Sequence, residues 1–426
     1  MPRVLIVGSG GREHALARAL QRSPQAPELI ATPGSPGLAR DGVEGLGIGV
    51  GDLNGIVAAA VSRRVDLVVV GPEAPLVGGL VDMLGSAGVR AFGPSAAAAH
   101  IEGSKAFAKE LMRDAGVPTA SHMMLRSREE ALAQIPCASY PAVLKADVLA
   151  AGKGVIIAQS EGEAREAVDV FFGERRFGQT TVVLEEFLDG EEVSLFALCD
   201  GIHAIPMTPA QDYKRIFDGD EGPNTGGMGS YSPVPGFSDD DAREIARTVH
   251  QPICDELRRR GSPFHGVLYA GLMLTSGGPK VLEFNARFGD PETQAILPRL
   301  RSDVLELLDH SARPSGLDGA AIEWSDDWAV TVVLASRGYP ESSSSGDAIT
   351  GIEEAEAAGA EVTHAGTAER DGSIVTAGGR VLNVTALGPT PAEARDGAYR
   401  AARMIQFDGM QLRTDIAARA VERVNV

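Results

Sequence analysis

A chain of 426 residues with 44% apolar and 23% charged side chains has room for roughly two to four domains and is too apolar for extended disorder. Its 39 Lys+Arg against 58 Asp+Glu give a formal net charge of −19, which argues against nucleic acid or anionic membrane as a partner. An anionic small substrate would therefore need a locally basic site.

The first hundred residues alternate strands and helices. Residues 4–7, 28–31, 66–70 and 89–92 are expected as strands, and 13–21, 55–64 and 76–86 as helices. Fully apolar strands alternating with helices predict a Rossmann-like parallel sheet covered on both faces, over residues 1–101. Gly8-Ser9-Gly10-Gly11-Arg12-Glu13-His14 turns the first strand into a helix. The third glycine of a dinucleotide fingerprint would fall on Glu13, and the second strand ends at Thr32-Pro33-Gly34 with no acid for a ribose, so NAD is disfavoured. Amide N–H groups at a helix N-terminus still suit a phosphate. Gly71-Pro72-Glu73, after another strand, faces the same crevice.

The second region, 102–326, opens with a helix over 104–115. Strands at 142–145, 155–158, 182–186 and 193–198, read without intervening helices, suggest an antiparallel sheet, with a lid subdomain at about 122–193. The hairpin carrying Lys145, Gly152, Lys153 and Gly154 is no P-loop, because GK[ST] is absent and no helix follows. Its small residues admit phosphate oxygens to backbone amides, and it could close as a lid. The strand running into Glu185, Glu186, Phe187 and Leu188 can offer backbone groups to an adenine edge, and a carboxylate a few residues on can take ribose hydroxyls. Residues 211–235 form a long Gly-, Asp-, Asn- and Pro-rich segment, expected as a functional loop. A helix over 239–260 and strands at 267–274 and 280–285 follow.

The last of these strands carries the sharpest signal. Alternation puts Glu283, Asn285 and Arg287 on one face and Leu282 and Phe284 on the other. A carboxylate, an amide oxygen and a guanidinium in a row make poor core, but suit a Mg²⁺ ion with a phosphate clamp beside it. The third region, 327–426, is expected as a small α+β domain with strands at 329–335, 361–365, 374–376 and 380–387, an exposed loop at 338–345 and a helix at 391–404. Three cysteines, Cys137, Cys199 and Cys254, stand far apart in sequence with no CxxC pair, so buried thiols in a reducing cytoplasm are expected. No signal-peptide pattern is present, and no apolar run approaches the ~18–20 residues of a membrane span.

In this order the pieces resemble the ATP-grasp enzymes and, within them, the phosphoribosylamine–glycine ligase family, over essentially the whole chain. The motifs are Gly8 to His14, Gly71-Pro72-Glu73, Glu102-Gly103-Ser104-Lys105, the 152–154 loop, Gln211-Asp212-Tyr213-Lys214-Arg215, the glycine cluster from Pro223 to Gly229, and Arg287 to Glu292. The resemblance implies that ATP phosphorylates the carboxylate of glycine and that the amine of 5-phosphoribosylamine attacks the glycyl phosphate. It implies Lys105, Lys145, Gly152, Lys153 and Gly154 on the ATP phosphates. Glu185, Glu186, Phe187 and Leu188 would hold adenine, and Glu192 ribose. Glu283 and Asn285 would hold Mg²⁺ or Mn²⁺, and Arg287, Asp290 and Lys214 would form the catalytic set. Gly10, Gly11, Arg12, Glu13, Glu73, Asp212, Asn224 and Gly226 would meet the substrates, with Asp212 on the glycine amine.

The implied partners are small molecules only, for a cytoplasmic monomer or weak oligomer. Such chemistry needs positioning and cations rather than a nucleophile, and His14, His203, His250 and His265 show no metal-ligand spacing. Val148 and Phe217 stand where the family usually has small residues, and the strand Tyr269-Ala270-Gly271-Leu272 lacks the acid that many other ATP-grasp enzymes place there. Another carboxylate–amine ligase of this class, or a non-catalytic nucleotide binder, are the alternatives. Alternation along the strand makes a specific prediction. Glu283→Gln should cut turnover by orders of magnitude, whereas Phe284→Leu should mainly cost stability, on the order of 1 kcal/mol. Steady-state rates and thermal unfolding check this, and equal effects on turnover would contradict the face assignment.

Overall fold

The structure is a computed structural model describing residues 1–149, 154–178 and 180–424. Strands β1 (Arg3–Gly8), β2 (Glu28–Pro33), β3 (Glu44–Gly45), β4 (Leu67–Val70) and β5 (Ala91–Phe92) form a parallel sheet in the order β3-β2-β1-β4-β5. Leu5 and Val7 enter one hydrophobic cluster and Val4 and Ile6 the other, so β1 is buried on both faces. The chain order reverses around β1, and the crevice beyond its C-terminal end lies between Gly10 and Glu73. The helix expected over 76–86 is two helices, Glu73–Val77 and Leu80–Ser86. They break at Gly79, whose left-handed φ of 87° suits glycine.

A second sheet, β6-β9-β7-β8, is built from β6 (His122–Leu125), β7 (Ala142–Ala146), β8 (Val155–Ala158) and β9 (Val182–Glu186), all antiparallel. It has its own core around Leu144, Phe171 and Val182. Helices Arg128–Gln134 and Glu161–Val168 do intervene between its strands, unlike the sequence expectation. Both are short and capped by a serine, Ser127 and Ser160, rather than marked by a long periodic stripe.

The central sheet orders β10 (Glu191–Asp200), β11 (Ala204–Pro206), β16 (His265–Thr275) and β17 (Gly278–Asn285) as β11-β10-β16-β17. The segment expected as a loop contains β12 (Gln211–Asp212), β13 (Arg215–Phe217), β14 (Glu221–Asn224) and β15 (Gly229–Ser232). β12 and β15 join β18 (Trp328–Ala335), β20 (Glu361–His364) and β23 (Arg380–Gly388) in a five-stranded sheet ordered β12-β15-β18-β23-β20. Thus the 211–235 segment is stitched into the sheet of the third region. β19 (Ser345–Ala348), β21 (Thr367–Arg370) and β22 (Ser373–Ala377) form a small separate sheet, and helix Pro391–Ala402 covers β18 and β23. Cys199 on β10 and Cys254 on the helix behind it are buried with their sulfurs 3.4 Å apart, unbonded, although far apart in sequence; Cys137 is exposed. Among the described residues no helix is long and apolar enough to cross a membrane.

The first helix, Gly11–Gln21, is clamped against the third region. His14 Nε2 lies 2.9 Å from Asp41 Oδ2, and the His364 N–H donates to His14 Nδ1 at 2.9 Å. An imidazole accepting at one nitrogen and donating at the other is neutral. Burial lowers the His14 pKa despite Asp41, and burial with His14 and Arg40 nearby takes His364 down to about 3. Burial also takes His250, 3.2 Å from the Leu195 carbonyl, to about 4. The unfolded chain, with ordinary histidines near 6.5, therefore binds more protons below that pH. Stability should be complete above about pH 6.5 and fall as pH drops, by up to about 1.4 kcal/mol per pH unit per histidine. Urea unfolding between about pH 6.5 and 5 checks this, with His364→Gln expected to flatten the slope.

Candidate active site

Two polar basins meet along β17. The first lies at the crevice of the parallel sheet. Gly10 caps the first helix, and its N–H donates to Glu13 Oε2 at 2.7 Å. Arg12 Nε donates to Glu13 Oε1 at 2.6 Å, and Arg12 Nη1 to the Phe288 carbonyl at 3.1 Å. A Cβ on Gly71 would lie 2.0 Å from Glu13 Oε1, and one on Gly11 would lie 2.1 Å from Asn383 Nδ2. A larger residue at either position would have to displace the Glu13 or Asn383 side chain. Arg287, two residues past β17, sets Nη2 3.0 Å from Glu102 Oε1 and Nε 3.4 Å from Glu73 Oε2. Its buried Nε makes no hydrogen bond there. Burial opposes the Arg287 charge, but Glu102 and Glu73 outweigh it and raise its pKa. Glu73, despite burial, is held low by Arg287, whereas burial pushes Glu102 up. Asp290 accepts from Gln294 Nε2 at 2.8 Å and lies 3.2 Å from Arg380 Nη2; Arg380 and Arg12 hold it low against burial. Arg380 also bonds the Gly226 and Asp290 carbonyls, which brings the glycine cluster to this basin.

The second basin is built from lysines. Ser104 caps helix Lys105–Ala115, placing Lys105 and Lys109 one turn apart on one face. Glu185 on β9 sits between Lys109, 3.0 Å from Oε1, and Lys145 on β7, 2.9 Å from Oε2. Lys145 also donates to the Leu282 carbonyl at 3.2 Å and Lys105 to the Val148 carbonyl at 3.1 Å. Burial lowers the pKa of both Lys105 and Lys109, with Glu283 and Glu185 respectively opposing it. Lys214, next to β13, is ion-paired with Glu192 on β10. Burial disfavours the Lys214 charge, but Glu192 and Asp212 outweigh it and raise its pKa well above the usual. Burial, with Glu292 and Glu192 adding to it, pushes Asp212 well up despite Lys214. Glu292 is held by Tyr269, whose hydroxyl donates to it at 2.8 Å.

Glu283 joins the basins. Burial would raise its pKa, but Lys214, Lys145, Lys105 and Arg287 hold it below the ordinary carboxylate value, so it is ionised. Phe284 is core, as the alternation requires, and Arg287 Nη2 is 3.4 Å from Asn285 Oδ1 on the polar face. Leu282 differs from expectation. A bulge between Gly271 and Leu272 makes it the extra residue, half-buried and outside the core clusters. Gly271 pairs directly with Glu283.

The remaining candidates are placed as follows. Glu186 bonds the Ser121 N–H at 2.9 Å and Lys280 at 2.9 Å, and β9 ends there, releasing exposed Phe187 and buried Leu188. Asn224 is half-buried opposite Arg215. The Gly154 carbonyl accepts from the Ala146 N–H at 2.8 Å, while Gly152 and Lys153 lie outside the described residues. Sequence reasoning missed Lys109, Arg380 and Asn383, and it placed Glu102 and Glu292 in motifs without giving them a role. The four-residue spacing from Lys105 was an available signal for Lys109; nothing local marked Arg380 or Asn383, which arrive from the third region.

Oxygen donors on a central strand, and a buried glutamate held between a lysine of its own antiparallel sheet and a lysine of the helix packed beside it, fit an ATP-grasp ligase. Family models for the N, ATP-grasp (A) and C domains of phosphoribosylglycinamide synthetase match residues 2–102, 103–293 and 329–419. The phosphoribosylamine–glycine ligase of Streptomyces coelicolor is 50% identical over 98% of this chain and 99% of its own length. The Brucella melitensis enzyme of the same name is 48% identical over 99% of both chains. The solved Thermotoga maritima phosphoribosylamine–glycine ligase superposes with a TM-score of 0.85 at 35% identity, over 97% of this chain and 100% of that one. A biotin carboxylase domain from Hydrogenobacter thermophilus, solved with the magnesium salt of ADP and bicarbonate, shares the fold at 17% identity and a TM-score of 0.70, over 96% of this chain and 91% of that one. The chain belongs to the phosphoribosylamine–glycine ligase family.

The Glu185 hub yields a test. Lys109→Met leaves that buried carboxylate with Lys145 alone and should cost on the order of 2 kcal/mol of stability. It should also weaken ATP binding, since Lys145 must then serve Glu185 by itself. Urea unfolding and nucleotide titration check the two effects, and an unchanged unfolding midpoint would refute the hub.

Proposed function

We propose that this chain uses ATP to join glycine to 5-phosphoribosylamine, giving glycinamide ribonucleotide, ADP and phosphate in purine biosynthesis. The carrying observation is the strand that sets Glu283, its pKa held low against burial by Lys214, Lys145 and Lys105, two same-face positions before Arg287, which pairs with Glu102. Family membership and the names of relatives about half identical over their full length support it.

Lys105 and Lys145 pair with the triphosphate, and the 152–154 hairpin covers it. Glu185, Glu186, Phe187 and Leu188 hold the adenine side and Glu192 the ribose. Asp212, pushed toward its neutral form by burial, regains its charge when the glycine ammonium supplies a counter-ion. The glycine carboxylate then attacks the γ-phosphorus, the bond to the β-phosphate oxygen breaks, and ADP forms. Lys214 and Arg287 neutralise charge building on the transferred oxygens. The amine, oriented by Asp290 and by the Gly10, Gly11, Arg12, Glu13 and Glu73 crevice with Asn224 and Gly226, attacks the acyl carbon. The C–N bond forms, phosphate leaves and the nitrogen loses a proton. Excluding water matters because acyl phosphates hydrolyse readily.

Glu283 and Asn285 fit Mg²⁺ or Mn²⁺ as one charged and one neutral oxygen donor. Among the described residues no cluster of three His, Cys, Asp or Glu could hold the ion by itself, so phosphate oxygens and water would complete the shell. An ion held by Glu283 and Asn285 would supply charge neutralisation to the phosphates. The same reading places the enzyme in the cytoplasm as a monomer or weak oligomer with small-molecule partners, and the net charge of −19 and the unbonded thiols support that.

ADP release should require glycine and phosphoribosylamine together. Full rate with another amino acid in place of glycine, or ATP binding without turnover, would replace this reading with another ligase of the class or a nucleotide-binding protein. A coupled ADP assay across amine and acid pairs decides it.

A further inference from the structure

The segment carrying Asp212 and Lys214 is held from behind. Tyr213 lies between them in sequence and is buried on the side away from their basin, where the end of the chain packs on it. The Arg413 guanidinium lies 4.7 Å over the Tyr213 ring, and the Ala417 N–H donates to the Tyr213 hydroxyl at 2.9 Å. Arg413 is fully buried. It forks onto Asp415 at 2.7 and 2.6 Å and donates to the Arg215 carbonyl at 3.0 Å and to Asp220 Oδ1 at 2.9 Å. The turn joining β13 and β14 is tied to the same stretch, with the Thr414 N–H on Asp218 at 2.7 Å and the Gly219 N–H on Asp415 at 2.9 Å.

Helix Ala418–Val424 extends the hold. Arg419 pairs with Asp220, and Arg423 reaches Glu191 at 2.6 Å. Glu191 also accepts from Gln211 Nε2 at 3.1 Å, and the same nitrogen donates to the Glu192 carbonyl at 2.8 Å. The stretch therefore grips both ends of the wall formed by Glu192, Asp212 and Lys214 and touches none of the groups facing the basin. Ala417, at the Tyr213 contact, holds a left-handed φ of 61°. A non-glycine residue keeps that conformation only where its surroundings over-determine it.

We propose that residues 413–423, through Arg413 and Tyr213, are positioning residues for the amino-acid side of the site, a strut that keeps Asp212 and Lys214 aimed at Glu283. This deepens the functional reading above and rests on its placement of glycine at Asp212. A buried fork of charge is suited to the task, because a planar guanidinium fixes direction as well as distance.

The experiment uses the full-length chain with Arg413→Met, and with the double variant Arg419→Ala/Arg423→Ala, whose side chains are partly exposed and whose loss spares the core. Hydrogen exchange over residues 211–224 should rise while the parallel sheet is unchanged. KM for glycine should rise about tenfold and KM for phosphoribosylamine should stay within about twofold, since misplacement far from the chemistry acts on the group it displaces. Unchanged exchange at 211–224, exchange rising throughout the chain, or both KM values rising together would overturn the strut. Should Arg413→Met fail to fold, the double variant gives the same readouts. If the wild-type chain releases no glycine-dependent ADP, the functional reading falls, and exchange still decides whether the strut exists.

Discussion

A carboxylate withdrawn from water stays charged only where cations or hydrogen bonds answer it, and the site turns on that constraint at Glu283. Burial alone would raise its pKa. Lys105 from a helix, Lys145 from the second sheet and Lys214 from the 211–235 segment each lower its pKa, so its charge depends on those elements being docked together. The lysines need anions in turn. Glu185 answers Lys109 and Lys145, and Glu192 answers Lys214. Asp147, tied to the start of the Lys105 helix, and Glu186 add further negative charge beside Lys105 and Lys109, so the basin is an alternation of lysines and carboxylates.

Arg287 transmits the arrangement to the other basin. Its guanidinium spans Glu73 at the edge of the parallel-sheet crevice and Glu102 at the entrance to the central domain. Arg12, Asp290 and Arg380 extend the charge alternation to the third region. Glu73, Glu102 and Asp290 are each matched to an arginine, while the buried Arg287 Nε has no hydrogen bond. That pairing offsets the desolvation cost of holding these arginines inside the protein.

What could be read from the sequence was local. Alternation along β17 placed Glu283 and Asn285 against Phe284, because a strand's two faces are written in consecutive residues. Apolar runs gave the parallel sheet for the same reason. Some misses were local, such as the short helices after Ser127 and Ser160 and the break at Gly79, but those that matter most to the site concern distant partners. β15 pairs with β18, roughly a hundred residues away, so the glycine-rich segment looked structureless when its hydrogen-bond partners lay out of view. Cys199 and Cys254 meet because β10 packs on the helix behind it. Arg380 enters the site from the third region, and Glu185 serves as a lysine hub because β6 and β7 flank β9.

The departures from the family pattern can now be weighed by position. Val148 rests its half-buried side chain on the core of the second sheet, and it is its carbonyl that Lys105 uses, which any residue supplies. Phe217 is exposed, and a Cβ on Gly222 would come within 2.5 Å of its ring, so the ring lies over that glycine across the hairpin. Gly271 is the consequential position. It faces Glu283 across the ladder, and a Cβ there would sit 3.5 Å from Glu283 Cγ, which is ordinary contact. Space therefore does not dictate glycine, but charge gives it a meaning. A second acid beside Glu283 would share the same lysines and raise the pKa of one carboxylate or both. With glycine there, Glu283 has Lys214, Lys145 and Lys105 to itself on this rung of the ladder and keeps its pKa low despite burial.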